Sequence, residues 1–449
     1  MILNESNCNM PTKKSPKITI IGGGILGLTL AYLLAKQQYS VRIIEKNEDL
    51  GGLASAFSIN GEYLERYYHH FFKSDKHLQE LLSELGLQDH IQWLPSKMGL
   101  YDGNKFHPFS HALDILRFPS LNILDRLRLG LISFYLQKKK PDPNFSKITA
   151  LVWCNKYYGK KVTAKIWEPL LRSKFEEYFD KVSMDWFHIR IHDRSSSRSL
   201  PFNDETLGYI KGSFNTLINT LENKLRELKV EIFKGSYVEN YSYIKNKHLI
   251  KIAGKFKKSM ESDIVIANIP PKQFNSIFKP ARSYSEKLND IKFLAAYCFI
   301  LELDSPLSKY YWTSVNDPNA PFVALVEHTN LLPKNNFKGS SIVYLGKYTK
   351  VDSQLFNMED DKLWDICFNY LKKIYPDLKP GAVKSKYLFR APQAQHIVTS
   401  NYSVLSYKTG RKGLLFAHFS QIYPHDRGTN YAIAQAYELF NLISSRKWN

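Results

Sequence analysis

Residues Gly22-Gly23-Gly24-Ile25-Leu26-Gly27 read G-x-G-x-x-G, and their neighbours restrict what the chain can fold into. The apolar run Lys17–Ile21 before them has the length of a strand. Ile25–Gln38 after them places Leu26, Leu30, Leu33 and Leu34 on one helical face. Val41–Glu45 is a second short strand. It ends on an acid about 20 residues beyond the glycines, the spacing of a dinucleotide-binding βαβ unit. Each glycine has a physical task there. Gly22 permits the tight turn, Gly24 lets backbone approach a diphosphate, and Gly27 lets helix and strand pack closely. The unpaired N–H groups and positive end of the helix attract that diphosphate. Glu45 suits ribose hydroxyls and repels a 2′-phosphate. Gly22, Gly24, Ile25, Leu26, Gly27 and Glu45 are therefore the first cofactor-binding candidates.

The stretch Ile18–Ala35 carries no charge and has the length of a membrane span, but its three consecutive glycines argue for a turn. The 449 residues suit two or three domains, and 44% hydrophobic with 23% charged residues excludes wholesale disorder. Cys8, Cys154, Cys298 and Cys367 form no C-x-x-C pair. A reducing compartment is expected, with no zinc site and no disulfide framework. Met1–Lys17 is polar and lacks the apolar centre of a secretory signal. The formal charge is +20, from 62 Lys plus Arg against 42 Asp plus Glu. Such an excess admits nucleic acid, an anionic membrane or an anionic substrate as partner. No nucleic-acid motif accompanies it, so no nucleic-acid partner is expected.

Asn60-Gly61, between Phe57–Ile59 and Tyr63–Leu64, marks a hairpin. Pro119 to about Phe187 reads as mostly helical, and Val230 to Asn268 as strand-rich. Lys362–Tyr375 and Asn430–Ile443 have helical patterns, and Ser195–Glu205 reads as a polar loop.

Glu45–Ser55, with Gly51, Gly52, Leu53 and Ala54, resembles the second diphosphate-contacting loop of the flavin-containing amine oxidase superfamily. Further segments resemble it in the same order. Gly208–Phe214 resembles the opening of the long helix of the FAD domain. Val230–Val238 is similar to the strand pair that brackets adenine. Asp263–Pro270 resembles the strand that returns to the dinucleotide. Gly413–Ala417 with Tyr423–Ile433 resembles the closing motif, whose last helix starts at the flavin pyrimidine ring. The resemblance implies Gly51, Gly52, Leu53, Ala54, Val238, Asn268, Asp426 and Asn430 as further FAD-binding residues. Tyr68–Phe72, Ile166–Phe175 and Glu327–Asn330 are most similar to bacterial protoporphyrinogen-oxidase-like NAD(P)/FAD-dependent oxidoreductases. Two departures stand out. Leu53 occupies a position that is basic in many relatives. No cysteine follows Cys367, so the FAD is expected to be noncovalent.

The resemblance implies an α/β two-domain flavoprotein. A Rossmann-like FAD domain of glutathione-reductase type would comprise 17–75, 205–275 and 385–449, after a disordered tail 1–16. A substrate domain of mixed sheet and helices would comprise 76–204 and 276–384. His69 and His70 are expected near the flavin edge, where His70 would polarise substrate or flavin. Glu327 and His328, at a strand end, are candidate proton acceptors. Arg390 and Gln393 are expected to approach from the substrate side. Arg190, Arg194 and Arg198 would share a face for a phosphate if helical, although a solvated basic loop fits Ser195–Ser197 better.

The expected activity is FAD-dependent oxidation of a C–H bond by hydride transfer. The bond would belong to an amine, an alcohol or sugar, a porphyrinogen or an alkane-like chain. A sugar-nucleotide mutase or isomerase using flavin without net redox, a membrane-associated desaturase, and an NAD-dependent dehydrogenase are the alternatives. The substrate would be a small molecule, anionic or lipid-linked. The oligomeric state stays open. The protein is expected in the cytoplasm, at most peripheral to the inner face of the membrane. Leu121–Leu136, followed by Lys138-Lys139-Lys140, is expected to pack inside the substrate domain, with an interfacial helix as the second reading. Charge gathers in two places. Lys138–Arg198 holds 14 basic and 7 acidic residues, and Lys245–Lys258 holds 6 lysines and no acid.

Overall fold

The computed structural model describes residues 15–110, 114, 117, 121–195 and 205–448. Arg198, Cys8 and nearly all of the expected tail lie outside the described residues.

Five short apolar strands form an all-parallel sheet. Their order is Leu414–Phe416, Ile264–Ala267, Lys17–Ile21, Ser40–Ile44, Glu231–Phe233. Strand side chains alternate between faces. Ile18, Ile20, Val41, Ile43, Ile264, Ile266 and Leu415 meet the helices Ile25–Lys36, Phe214–Glu227 and Thr429–Ser444. Ile21, Ile44, Val265, Ala267, Leu414 and Phe416 meet a second core. That core is roofed by the antiparallel strands Ser236–Ile244, Lys247–Gly254 and Lys258–Ser262. Burial on both faces explains why these strands read as unbroken apolar runs.

A mixed seven-stranded sheet forms the second layer system, in the order Val383–His396, Phe293–Leu303, Ser341–Thr349, Ala324–Glu327, Trp312–Val315, Met98–Tyr101, Phe106–Pro108. Helices between Ile123 and Ser195 surround a third core of Trp153, Tyr158, Ile166, Phe175, Trp186 and Phe187. The hairpin turns at Asn60 and Gly61, with Ile59 opposite Glu62, and both turn residues have positive φ (55° and 90°). Paired positive φ is the geometry that Asn-Gly accommodates.

Some boundaries differ from the sequence reading. Val383–His396 pairs along its length with Phe293–Leu303, so the last FAD segment joins the parallel sheet only at Leu414. The helix Lys76–Glu84 buries Leu78, Leu81 and Leu82 in the core of the parallel sheet. Arg190 and Arg194 do lie on a helix, Met184–Ser195, which Trp186, Phe187 and Ile189 anchor by burial. Burial of such an apolar set outweighs the weak helix propensity of a terminal serine. Four of the six lysines of 245–258 are matched by acids elsewhere: Lys247 with Asp263, Lys251 with Glu239, Lys255 with Glu48, and Lys258 with Glu231.

Candidate active site

The glycine turn forms a cradle that side chains would fill. Gly22 has φ +109°, and a Cβ on it would lie 2.3 Å from the Asn268 carbonyl oxygen. A Cβ on Gly27 would lie 2.1 Å from the Gly22 oxygen. At Gly24 the nearest atom to a Cβ is Asn268 Oδ1, at 3.4 Å, so the space in front of that residue is open. The helix Ile25–Lys36 begins there with no side-chain cap and no acid in its first turn. Its leading N–H groups are left for a ligand, the arrangement that suits a diphosphate. Gly51 N–H donates to the Gly23 carbonyl at 2.8 Å and holds the Gly51–Ala54 loop against the turn. The short turn Gly52–Ala54 is also uncapped.

Glu45 is buried, and its two oxygens accept Gly23 N–H at 2.7 Å and Asn47 N–H at 2.9 Å. A carboxylate has about four acceptor positions, so lone pairs remain for ribose hydroxyls. Ser236 N–H donates to the Glu45 carbonyl at 2.9 Å, which brings the strand carrying Val238 beside the acid. Asn268 N–H donates to Ile21 O and its Nδ2 to Ala417 O, tying the returning strand to the turn.

A second uncapped helix start closes the site from the other end of the chain. Thr429–Ser444 follows Gly428 without a side-chain cap and without an acid in its first turn. Asn430 turns its Oδ1 to Leu78 N–H and so fastens the helix Lys76–Glu84. Asp426 pairs with Lys174 Nζ at 2.7 Å, linking the helical insert to the closing loop. Burial alone would raise the Asp426 pKa, but Lys174, Arg190 and Arg427 hold it well below the usual carboxylate range. Arg427 donates to the Tyr348 hydroxyl at 2.9 Å and to Gln395 at 3.2 Å. Leu53, Tyr67 and Tyr348 pack over the small residues Ala296, Ala391 and Ala394, where the loop meets the seven-stranded sheet.

The glycine cradle, the free N–H groups and the spare Glu45 lone pairs fit FAD. The family model for flavin containing amine oxidoreductase matches residues 26–417. The chain belongs to the flavin-containing amine oxidoreductase family. Its members are FAD-dependent oxidoreductases, and FAD is the cofactor here. A 15-cis-phytoene desaturase from an Oncidium hybrid is 33% identical over 131 residues, which are 28% of this chain and 22% of that protein. The chain thus aligns with under a quarter of that curated relative's length. The fold of a candidate protoporphyrinogen oxidase from Exiguobacterium superposes with a TM-score of 0.76 at 17% identity, covering 96% of this chain and 99% of that one. Reduced UDP-galactopyranose mutase superposes at 0.72 with 16% identity, covering 96% of each.

Within this flavin-family fold the catalytic candidates separate. His70 lies among the rings of Phe72, Tyr311 and Trp312. Its Nδ1 is 3.0 Å from the Tyr311 hydroxyl, and burial pushes its pKa down to about 3. His69 Nδ1 contacts the Tyr67 carbonyl, and burial lowers its pKa to about 4. Both rings are neutral at neutral pH. Arg390 lies elsewhere. Its neighbour Ala391 faces Leu53 and Tyr67, and period-two alternation turns Arg390 outward to Asp360 and the Met358 carbonyl. Glu327 is fully buried and accepts Leu307 N–H, Ser308 N–H and the Ser308 hydroxyl, so its carboxylate fastens a loop. His328 is enclosed by Tyr209, Phe337 and Tyr344 in the core of the seven-stranded sheet. Arg427, Tyr348 and Lys174 were not singled out from sequence. The available signal was the position of Arg427 next to Asp426 in the closing motif.

Proposed function

We propose that this chain oxidises a C–H bond of a small molecule that carries an anionic group, with FAD held noncovalently. Bound FAD supplies the hydride acceptor, and the protein positions the substrate. The observation that carries the reading is the pair of arginines flanking His69 and His70. Arg427 is half-buried beside Tyr67, Tyr68 and His69, whose ionisation its charge perturbs. Arg190 is half-buried over the Phe72 ring at 5.4 Å and has no ion-pair partner among the described residues. Lys174 pairs with Asp426, and Arg190 feels Asp75 and Asp426 through space, but neither guanidinium is tied up in a direct ion pair among the described residues. A carboxylate or phosphate would find donors there, whereas a protonated amine would meet like charge. The neutral histidines and the Tyr311 hydroxyl offer hydrogen bonds without a further charge. Burial raises the thiol pKa of Cys154, Cys298 and Cys367, which supports noncovalent binding.

The purified protein is expected to be yellow, and acid precipitation should release all of its FAD into solution. A colourless protein that takes up NAD and not FAD would reject the reading. Among carboxylated porphyrinogens, nucleotide sugars and putrescine, an anionic compound is expected to bleach the flavin anaerobically and putrescine is not. Arg190→Ala should then raise KM roughly 10-fold or more while kcat changes little, since a hydrogen bond to a charged group contributes about 1.5–3 kcal/mol. A lowered kcat with unchanged KM would count against anion binding by Arg190. The 131-residue similarity to a phytoene desaturase favours a second reading, desaturation of a long apolar substrate. Bleaching by such a compound alone would select it.

A further inference from the structure

The helix Ile123–Lys138 buries only Leu129 and Leu136 on its inner side. Its outer side shows Ile123, Leu124, Leu127, Leu131, Phe134 and Tyr135 to solvent, with Leu124 77% and Leu131 69% exposed. Single exposed apolar residues are ordinary, but this set follows helical spacing and forms one continuous stripe. Arg128 Nε donates to the Tyr157 carbonyl, which joins the stripe to exposed Val152 and Tyr157 of the helix Ala150–Tyr157.

The charges around the stripe are mostly basic, and of the acids there Asp142 is paired with Lys139. Arg128, Lys138, Lys140, Lys156 and Lys160 have no carboxylate within ion-pair distance among the described residues. Asp125 is turned partly inward and paired with Lys161. Lys138, Lys139 and Lys156 hold their ammonium groups near the rings of Phe134, Tyr135 and Tyr157. That places charge level with aromatic rims, as at a membrane–water interface. No described helix is long and apolar enough to cross a membrane.

We infer that this face seats the protein on an anionic lipid surface, with the apolar stripe in the acyl boundary and the lysines among the headgroups. A second copy of the chain would bring a like-charged rim against this one, which charge complementarity disfavours. Anionic lipid answers both the stripe and the rim. Each lysine or arginine at such a surface adds about fivefold to binding.

The test is flotation of the FAD-loaded protein with vesicles of phosphatidylcholine alone and of phosphatidylcholine with one-quarter phosphatidylglycerol. Binding is expected to be at least tenfold greater on the anionic vesicles and to fall with salt. The exposed-site variant Leu124→Ser/Leu131→Ser/Phe134→Ser should lose at least tenfold while keeping its flavin spectrum. Absence of flotation, or equal flotation of the variant, overturns the inference. A concentration-dependent doubling of mass that the variant abolishes also overturns it, in favour of self-association. None of these outcomes depends on the substrate, so the functional proposal stands or falls separately.

Discussion

A Gly24→Val chain is expected to fold normally and to purify without flavin. Gly24 has φ −72°, which any residue adopts, and its Cβ position is open apart from Asn268 Oδ1. The added side chain therefore costs the protein little. It grows into the space in front of the uncapped N–H groups of Ile25–Lys36, where the diphosphate must approach. Forcing a ligand against added methyl groups costs about 3 kcal/mol at the upper end of overpacking, or roughly 100-fold in FAD affinity. Gly27→Ala separates the two roles of the glycines. Its Cβ would meet the Gly22 carbonyl oxygen at 2.1 Å, so the strand and helix must part and the fold itself weakens. Thermal melting and FAD titration read the two effects. Gly24→Val should melt near the wild-type apoprotein yet bind FAD at least about 100-fold more weakly. Retention of stoichiometric FAD by Gly24→Val would place the diphosphate elsewhere.

The nucleotide end was legible because its constraints are local. Gly22, Gly24, Gly27 and Glu45 lie within a single βαβ unit, and each residue type is forced by backbone geometry or by one hydrogen bond. The proposed substrate end was less legible because its groups converge from distant segments. Arg427, Tyr348, Gln395 and Lys174 meet through the register of the seven-stranded sheet and the packing of the helical insert, neither of which has a local pattern. Arg390 illustrates the sensitivity. It stands next to Ala391, and a strand's period of two sends adjacent side chains to opposite faces. Glu327 and His328 looked chemical because an acid and a histidine end an apolar strand, but the Glu327 carboxylate is taken up by the loop at Leu307 and Ser308, and His328 is enclosed by aromatic rings. The helix Ile123–Lys138 shows another limit. Its sequence is apolar on nearly every side, so periodicity does not tell which face packs. Only the structure shows that one side buries Leu129 and Leu136 while the other stays open.

Acidification is expected to destabilise the protein steeply below about pH 6, and two buried carboxylates should soften that loss. His248, His328, His396 and His418 are buried, and burial lowers their pKa values to about 4, 3, 4 and 3. Below the ordinary histidine pKa the unfolded chain takes up protons that the folded chain refuses, so stability falls with pH. Glu65 and Glu327 act in the opposite sense. Burial raises both to about 7, against the bonds each accepts: from Phe214 N–H and the Tyr209 hydroxyl at Glu65, and from Ser308 and Leu307 N–H at Glu327. Between the ordinary glutamate pKa and 7 the folded chain holds their protons and the unfolded chain does not, so their cost appears as pH rises. Near pH 5.5 the histidines win. With His69 and His70 on the same side, and Asp75, raised to about 6 by burial, on the other, the unfolded chain holds about three more protons, and stability drops by about 4 kcal/mol per unit of acidification. Above pH 7 the two sets nearly cancel and stability is flat. Glu65→Gln removes one carboxylate cost while keeping an acceptor for Phe214 N–H. It should therefore stabilise the protein at pH 8 by up to about 3 kcal/mol, fading toward pH 5. Urea unfolding at pH 8 and pH 5.5 reads both effects. Equal wild-type stability at the two pH values would sink the histidine argument. A Glu65→Gln variant no more stable than wild type at pH 8 would show that the Tyr209 and Phe214 donors already compensate the buried charge.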